Sequence, residues 1–207
     1  MEIFADQLNQ LLEGAGLSGL VREQSAKFES YLQLILKWNP KINLTAVREE
    51  DILARHFVES IACALNLPGE IATLLDFGSG AGLPGIPVAI CRPALTVTLA
   101  ESQGKKAAFL AEAVRQLRIN AKVFAARAET LQERFDCVTL RAVDRMELAV
   151  AQAAHLVVIE GLLAVMTTLP AMAGIRRAAG HGFTWSEPQA LPGSERRVLL
   201  IARRMGE

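Results

Sequence analysis

The rhythm of hydrophobic and polar positions changes near residue 70. Before it, apolar residues recur at three- and four-residue steps. In "VREQSAKFESYLQLILKWN", Phe28, Leu32, Ile35 and Trp38 fall on one stripe, the spacing of an amphipathic helix. Pro40 disfavours helical backbone at the residue before it, so this helix is expected to stop near Asn39. "REEDILARHFVESIACALNL" predicts another helix. Glu49, Glu50 and Asp51 crowd its first turn, where the helix dipole favours acids. Its stripe is Leu53, Phe57, Ile61 and Leu65, and "LPGE" (67–70) then punctuates the chain.

Beyond that point short continuous apolar runs alternate with helical patterns. "IATLLDF" reads as a strand buried on both faces. "LTVTLAE" (95–101), "KVFAARAE" with its following loop, "FDCVTLRAV" and "GLLAVMTT" read as four more strands. "KKAAFLAEAVRQL" (105–117) is a helix with Phe109, Ala113 and Leu117 on one side, and "ELAVAQAAHLVV" is a second. "FTWSEPQAL" and "ERRVLLIARR" predict a final antiparallel pair. This alternation implies an α/β fold with a doubly wound, mostly parallel, seven-stranded sheet. The expected division is a helical extension over 1–68, whose stripes cover one edge of the sheet, and a sheet domain over 69–207.

Composition narrows the picture. Of 207 residues, 51% are hydrophobic, enough for one full domain and a small extension. No run of 18 apolar residues is present, so no membrane span is expected. The acidic, amphipathic start "MEIFADQLNQ" does not read as a signal peptide. Cys63, Cys91 and Cys137 are widely spaced in apolar settings, which points to a reducing cytoplasm and away from zinc or any other metal. The first 70 residues carry 6 Lys/Arg against 10 Asp/Glu, and the remainder 16 against 12. Any nucleic-acid contact would therefore use a local patch, not a whole-surface field.

The candidate chemistry lies in "LLDFGSGAGLPGIPVAI", residues 74–90. A glycine-rich turn after the first strand can be purely structural. In an open α/β sheet, however, the ligand crevice lies beyond the carboxyl ends of the strands. Gly78, Gly80 and Gly82 permit positive φ and close approach of backbone to a ligand. Gly85 would allow tight helix–strand contact, and Pro84 suits the first helical turn. Gly80, Gly82 and Gly85 also satisfy a bare dinucleotide pattern. Asp76 argues against a pyrophosphate there and for a ligand with a cationic ammonium and sulfonium. Glu101, at the end of the next strand, could accept both hydroxyls of a ribose or stand as a solvated acid.

These residues resemble a family. "DFGSGAGLPGIPVAI" resembles motif I of the S-adenosyl-L-methionine-dependent methyltransferases, and its "GLPGIP" ending is similar to the glucose-inhibited division protein B family, small-subunit ribosomal RNA methyltransferase G. "KWNPKINLTAV" (37–47) resembles that family's W-N-x-x-x-N-L-T segment. "RHFVES" (55–60) resembles R-H-x-x-D-S, with Glu59 for the usual Asp. "ESQGKKAAFL", "ARAE" and "LRAV" resemble the ribose-binding strand end, the adenine-side turn and the S-R-A segment. The match covers roughly residues 20–145 and loosens beyond.

The resemblance implies a Rossmann-like class I methyltransferase using S-adenosyl-L-methionine. Asp76, Gly78, Gly80, Gly82 and Leu83 would line the cofactor. Glu101 would hold its ribose with Ser102 alongside, and Ala128 and Glu129 would flank the adenine. Arg141 would be the catalytic residue, reaching cofactor or RNA at the mouth. Lys105, Lys106 and Arg145 are the RNA-contact candidates. The implied reaction methylates N7 of one guanine in small-subunit ribosomal RNA, free or in the assembling subunit, by a cytoplasmic monomer without membrane attachment. One departure stands out: Thr167 and Thr168 occupy the place of the family's Lys-Gly pair. A guanine N7 has an in-plane lone pair, so no general base is needed. His56 then reads as structural, between extension and sheet. A small-molecule methyltransferase, an NAD-dependent dehydrogenase and a non-catalytic nucleoside-binding module remain rival readings.

Overall fold

The strands show the period-two rule most clearly. Leu74, Val97, Leu99, Cys137, Leu162, Ala164, Met166, Leu199 and Ile201 face one apolar cluster; Leu75, Phe77, Ala100, Val138, Leu140, Leu163, Val165, Val198 and Leu200 face another. The strands that carry these residues thus bury both faces, as their continuous apolar runs require. The computed structural model describes residues 2–206. Met1 and Glu207, the outer ends of the two expected segments, lie outside the described residues.

The sheet holds β1 (Thr73–Phe77), β2 (Thr96–Ala100), β3 (Ala121–Phe124), β4 (Phe135–Arg141), β5 (Val157–Thr168), β6 (Phe183–Trp185), β7 (Gln189–Ala190) and β8 (Arg197–Arg204). Its order is β3-β2-β1-β4-β5-β8-β6. The first five strands are parallel, and β8 inserts antiparallel between β5 and β6. The order reverses between β1 and β4, which opens a crevice at their carboxyl ends. Seven strands lie on this path, the number expected, and an eighth, β7, pairs with β8 off it. "FTWSEPQAL" is not one strand, however: it divides into β6 and β7, both paired with β8, around Pro188, which donates no ladder hydrogen bond.

The helices are α1 (Glu2–Gly14), α2 (Arg22–Ile42), α3 (Glu59–Asn66), α4 (Gly85–Cys91), α5 (Gly104–Leu117), α6 (Met146–His155) and α7 (Met172–Ala179). On α5, Phe109, Ala113 and Leu117 are buried as their spacing predicts. Residues of α1 to α5 pack in one apolar cluster with one sheet face, and α6 and α7 pack in the other. The extension packs on α4 and α5, the helices of that face. Leu8, Phe28, Tyr31 and Phe57 join the cluster that contains Leu74 and Leu99. The short, Ala- and Arg-rich α7 was not anticipated.

Two helix boundaries differ from expectation. Pro40 lies inside α2, which runs on to Ile42. Proline removes one N–H from the helical ladder, but the last turn is still closed beyond it. Asn43 adopts left-handed backbone (φ 52°) and donates its N–H to the Asn39 carbonyl at 2.9 Å. The Asn39 side chain then accepts the Thr45 N–H at 2.9 Å. The expected 49–66 helix is continuous in path but changes pitch: a 3-10 turn (Glu49–Asp51), a π-helical segment (Ile52–Val58), then α3. Leu53, Phe57 and Ile61 are buried, whereas Leu65 is 50% exposed. Steps of four match the wider π turn and drift off the buried face once the α pitch resumes.

Candidate active site

The loop between β1 and α4 is shaped by three glycines with φ between +56° and +89°: Gly78, Gly80 and Gly82. Hydrogen bonds tie it to its surroundings. The Ser79 N–H bonds to the Ala100 carbonyl, and the Gly82 N–H turns back to Ser79. Glu101, 7% exposed at the tip of β2, accepts the Gly80 N–H at 2.9 Å on one oxygen and the Gln103 N–H at 2.7 Å on the other. Each carboxylate oxygen keeps a further lone pair for a ligand hydroxyl.

Beside this loop opens a hollow of about 820 Å³. Gly78, Gly80, Leu83, Glu101, Ser102, Ala128, Glu129, Arg141, Lys106 and Arg145 line it. These expected residues are therefore brought together. Three expected residues are not in its wall. Gly82 is a packing glycine: a Cβ there would lie 2.5 Å from Ile86 Cδ1. Lys105 is exposed outside the hollow, one step around α5 from Lys106.

The third is Asp76, whose expected part in ligand binding is corrected by its direction. Strand alternation places it on the extension-side face with Leu74. Its carboxylate accepts the Gly85 N–H at 3.2 Å and the hydroxyl of its cross-strand partner Thr139 at 3.1 Å. It is 1% exposed. Burial raises its pKa from 3.8 to about 6, opposed by hydrogen bonds and the Arg141 charge. Gly85 does permit the close helix–strand approach, since a Cβ would meet Leu99 Cδ2 and Asp76 Oδ2. Pro84 caps α4 from one residue before its first turn.

A second hollow of about 700 Å³ adjoins the first. Met166, Thr167, Thr168, Ile175 and Leu191 form much of its wall, with Arg55, Arg145 and Arg197 as cations. The two hollows share Arg55, His56, Arg141, Ala142, Val143, Arg145 and Leu148. That shared wall joins the tip of β4 and the turn after it, where Ala142 and Arg145 both hold φ 51°, to Arg55 and His56 of the π-helical segment and Leu148 of α6. Positive φ at non-glycine residues costs energy and concentrates at functional sites.

Arg141 anchors the wall. Its terminal nitrogens donate to Ser60 Oγ (3.0 Å), Glu59 Oε2 (2.7 Å) and the Arg55 and His56 carbonyls (2.9 and 3.3 Å). Both are thus occupied by protein partners, as a buried guanidinium requires. Glu59, 1% exposed, also takes Arg197 Nε on its second oxygen. His56 bonds Thr45 Oγ1 through Nε2 at 2.7 Å and meets an Arg141 nitrogen through Nδ1 at 3.2 Å. Arginine only donates, so Nδ1 accepts and Nε2 carries the hydrogen. Burial and the neighbouring Arg141, Arg55 and Arg197 charges lower the His56 pKa from 6.5 to about 3, leaving the ring neutral. It sits between extension and sheet, the place expected for it, and lines both hollows.

The family description "rRNA small subunit methyltransferase G" matches residues 24–177 of this chain. The protein of that name from Xanthomonas euvesicatoria pv. vesicatoria (strain 85-10) is 41% identical over 181 residues, covering 85% of this chain and 84% of that protein. The chain belongs to the ribosomal RNA small subunit methyltransferase G family. A relative of the same name from Roseiflexus sp. (strain RS-1) is 36% identical, covering 94% of this chain and 90% of its own length. Among solved structures, the ribosomal protein L11 methylase of Lactobacillus delbrueckii subsp. bulgaricus superposes with a TM-score of 0.62 at 13% identity, over 77% of this chain and 81% of that one. Precorrin-6y C5,15-methyltransferase of Geobacter metallireducens GS-15 superposes at 0.52 and 13%, over 78% and 92%. At such identities the likeness shows the fold. The segments "KWNPKINLTAV" and "RHFVES" meet here: His56 stands in the shared wall, Asn39 and Thr45 hold it from one side, and Glu59 holds Arg141. Of the second hollow the sequence singled out Arg141, Arg145, Thr167 and Thr168, but not that they meet Arg55, Ile175, Leu191 and Arg197, which come from segments far apart in the chain.

Proposed function

We propose that the large hollow binds S-adenosyl-L-methionine and that the adjoining hollow receives a guanine of small-subunit ribosomal RNA, which is methylated at N7. The observation that supports this most is the shared wall. A glycine-lined hollow with a buried carboxylate meets an apolar hollow lined by four arginines at the tip of β4.

The residues fit the cofactor. Glu101 has a lone pair left on each oxygen for a ribose diol, and Gly78 and Gly80 let backbone approach closely. Leu83 and Ala128 offer apolar contact to an adenine, with Glu129 alongside. When bound, the cofactor supplies an electrophilic methyl group on a sulfonium. The chain's part is positional. The N7 lone pair is already available, so no side chain has to remove a proton before attack. Val143 packs beside Gly78 in the shared wall, and fixes the approach from one hollow to the other. Holding nitrogen, methyl carbon and sulfur in line can lower the barrier by roughly 7–11 kcal/mol. Arg141 serves as a positioning residue, since its terminal nitrogens are committed to the extension.

Arg55, Arg145 and Arg197 suit phosphates flanking an unstacked base. They stand where a lysine after β5 is replaced by Thr167 and Thr168, so this chain places its cations on neighbouring elements. We read the protein as a monomer that acts in the cytoplasm on the RNA or the assembling subunit. Among the described residues no helix is long and apolar enough to cross a membrane. The test is mass spectrometry of small-subunit ribosomal RNA from cells with and without the protein. One N7-methylguanine should vanish without it and return with the wild-type gene, but not with Glu101→Ala. Retention of every methylguanine in the deletion strain would overturn the reading.

A further inference from the structure

We propose that Tyr31, on α2 of the extension, is a positioning residue for the cofactor loop. The inference rests on placing the cofactor in the large hollow. Ala81 sits between Gly80 and Gly82, two residues of positive φ. Glycine on both sides leaves the Ala81 peptide few intrinsic restraints. Its carbonyl accepts the Tyr31 hydroxyl at 2.6 Å, fully inside the protein. Tyr31 is 0% exposed and its ring stacks on Phe57 of the π-helical segment, with centroids 5.4 Å apart and planes 15° from parallel. Phe28 packs on the other partner, 5.1 Å from the Phe57 ring. The hydroxyl is therefore held by a rigid aromatic stack and aimed at one peptide of the loop.

Ala81 lines the hollow, so the restrained peptide is part of the wall that a ligand meets. Without the hydroxyl the buried carbonyl loses its partner, and the peptide can turn to seek another. A ligand that needs the present geometry must then order the loop as it binds, which costs affinity. The same π-helical segment gives its Arg55 and His56 carbonyls to Arg141. Through Tyr31 and Phe57 the extension thus touches both the cofactor loop and the wall of the second hollow.

Isothermal calorimetry with S-adenosyl-L-methionine and S-adenosylhomocysteine tests this on four proteins: wild type, Tyr31→Phe, Val157→Ala and Glu101→Ala. Tyr31→Phe should weaken both ligands about fivefold, the worth of one net hydrogen bond. Its turnover at saturating cofactor should match wild type, so the loss falls on KM for the cofactor and not on kcat. Val157, buried at the start of β5 in the other apolar cluster, lines neither hollow. Val157→Ala should lower the melting temperature while leaving both affinities unchanged, which separates positioning from general stability. Wild-type affinity in Tyr31→Phe, or equal weakening by Val157→Ala, overturns the inference. If Glu101→Ala also binds as wild type, the cofactor reading falls with it; if Glu101→Ala alone is weakened, only the role of Tyr31 falls. Tyr31 is the single tyrosine of the chain, so 3-fluorotyrosine labelling gives a second readout that needs no variant. Its one fluorine resonance should shift on titration with the cofactor, at the calorimetric midpoint. A resonance unmoved at saturation overturns the inference.

Discussion

Arg141 and Glu59 form a buried ion pair, Nη2 to Oε2 at 2.7 Å, that ties the end of β4 to the first turn of α3. Their side chains are 11% and 1% exposed. Glu59 holds Arg197 from β8 as well. One carboxylate therefore pairs with two guanidinium groups from separate strands. Removing one partner from such a group leaves uncompensated buried charge. Glu59→Ala should lose about 3–5 kcal/mol of stability by urea unfolding. Glu59→Asp, the residue usual in the family, should lose less because a carboxylate remains. Equal stability of Glu59→Ala and wild type would refute the role of this pair.

Asp76 makes the fold's stability depend on pH with a definite sign. Its folded pKa, about 6, lies above the ordinary 3.8. The folded state therefore holds its proton more tightly. The stabilisation is fully present below pH 3.8 and is lost as pH rises through 6, amounting to about 3 kcal/mol. Asp76→Asn should remove this dependence. Unfolding free energies of both proteins from pH 4 to 7 provide the measurement; a constant difference between them would contradict the assignment.

His56 acts with the opposite sign. Its folded pKa, about 3, lies below the ordinary 6.5. Stability from the neutral ring is present above pH 6.5 and is lost as pH falls through 3. His56→Gln should flatten the acid limb of the stability curve between pH 6.5 and 4. Nitrogen NMR of the wild type should find the hydrogen on Nε2 and no titration near pH 6.5. A midpoint near 6.5 would show a solvated ring.

Gly85 is constrained by packing. A methyl group there would meet Leu99 Cδ2 and Asp76 Oδ2 well inside van der Waals contact. Gly85→Ala should push α4 from the sheet, cost about 1–3 kcal/mol and weaken cofactor binding through the displaced loop. Gly104→Ala, where nothing lies within 4 Å, should be tolerated. Thermal unfolding with and without S-adenosyl-L-methionine checks both.

Much of this molecule was legible in its sequence because the signals were local. Period two in the strands, period 3.6 in α5 and glycines after β1 each arise from nearest-neighbour geometry. Glu101 was legible for the same reason: it ends a strand next to the loop strand. Asp76 was misread because its residue type suggested a ligand, while the pleat turns it toward Gly85 and Thr139. Only tertiary packing decides such a direction.

What the chain determines by itself is therefore the order of elements, the doubly buried sheet and the glycine loop. Only the folded structure decided that α2 outlasts Pro40, that a π turn takes Leu65 off the buried stripe, and that Tyr31 meets Ala81. It also brought Arg55, Arg141, Arg145 and Arg197 around the two hollows. The Tyr31–Ala81 bond and the gathering of arginines depend on contacts between residues 50 or more positions apart. Local periodicity carries no record of which distant groups will satisfy a buried carbonyl or charge; burial makes that satisfaction obligatory, and the three-dimensional path of the chain selects the partner.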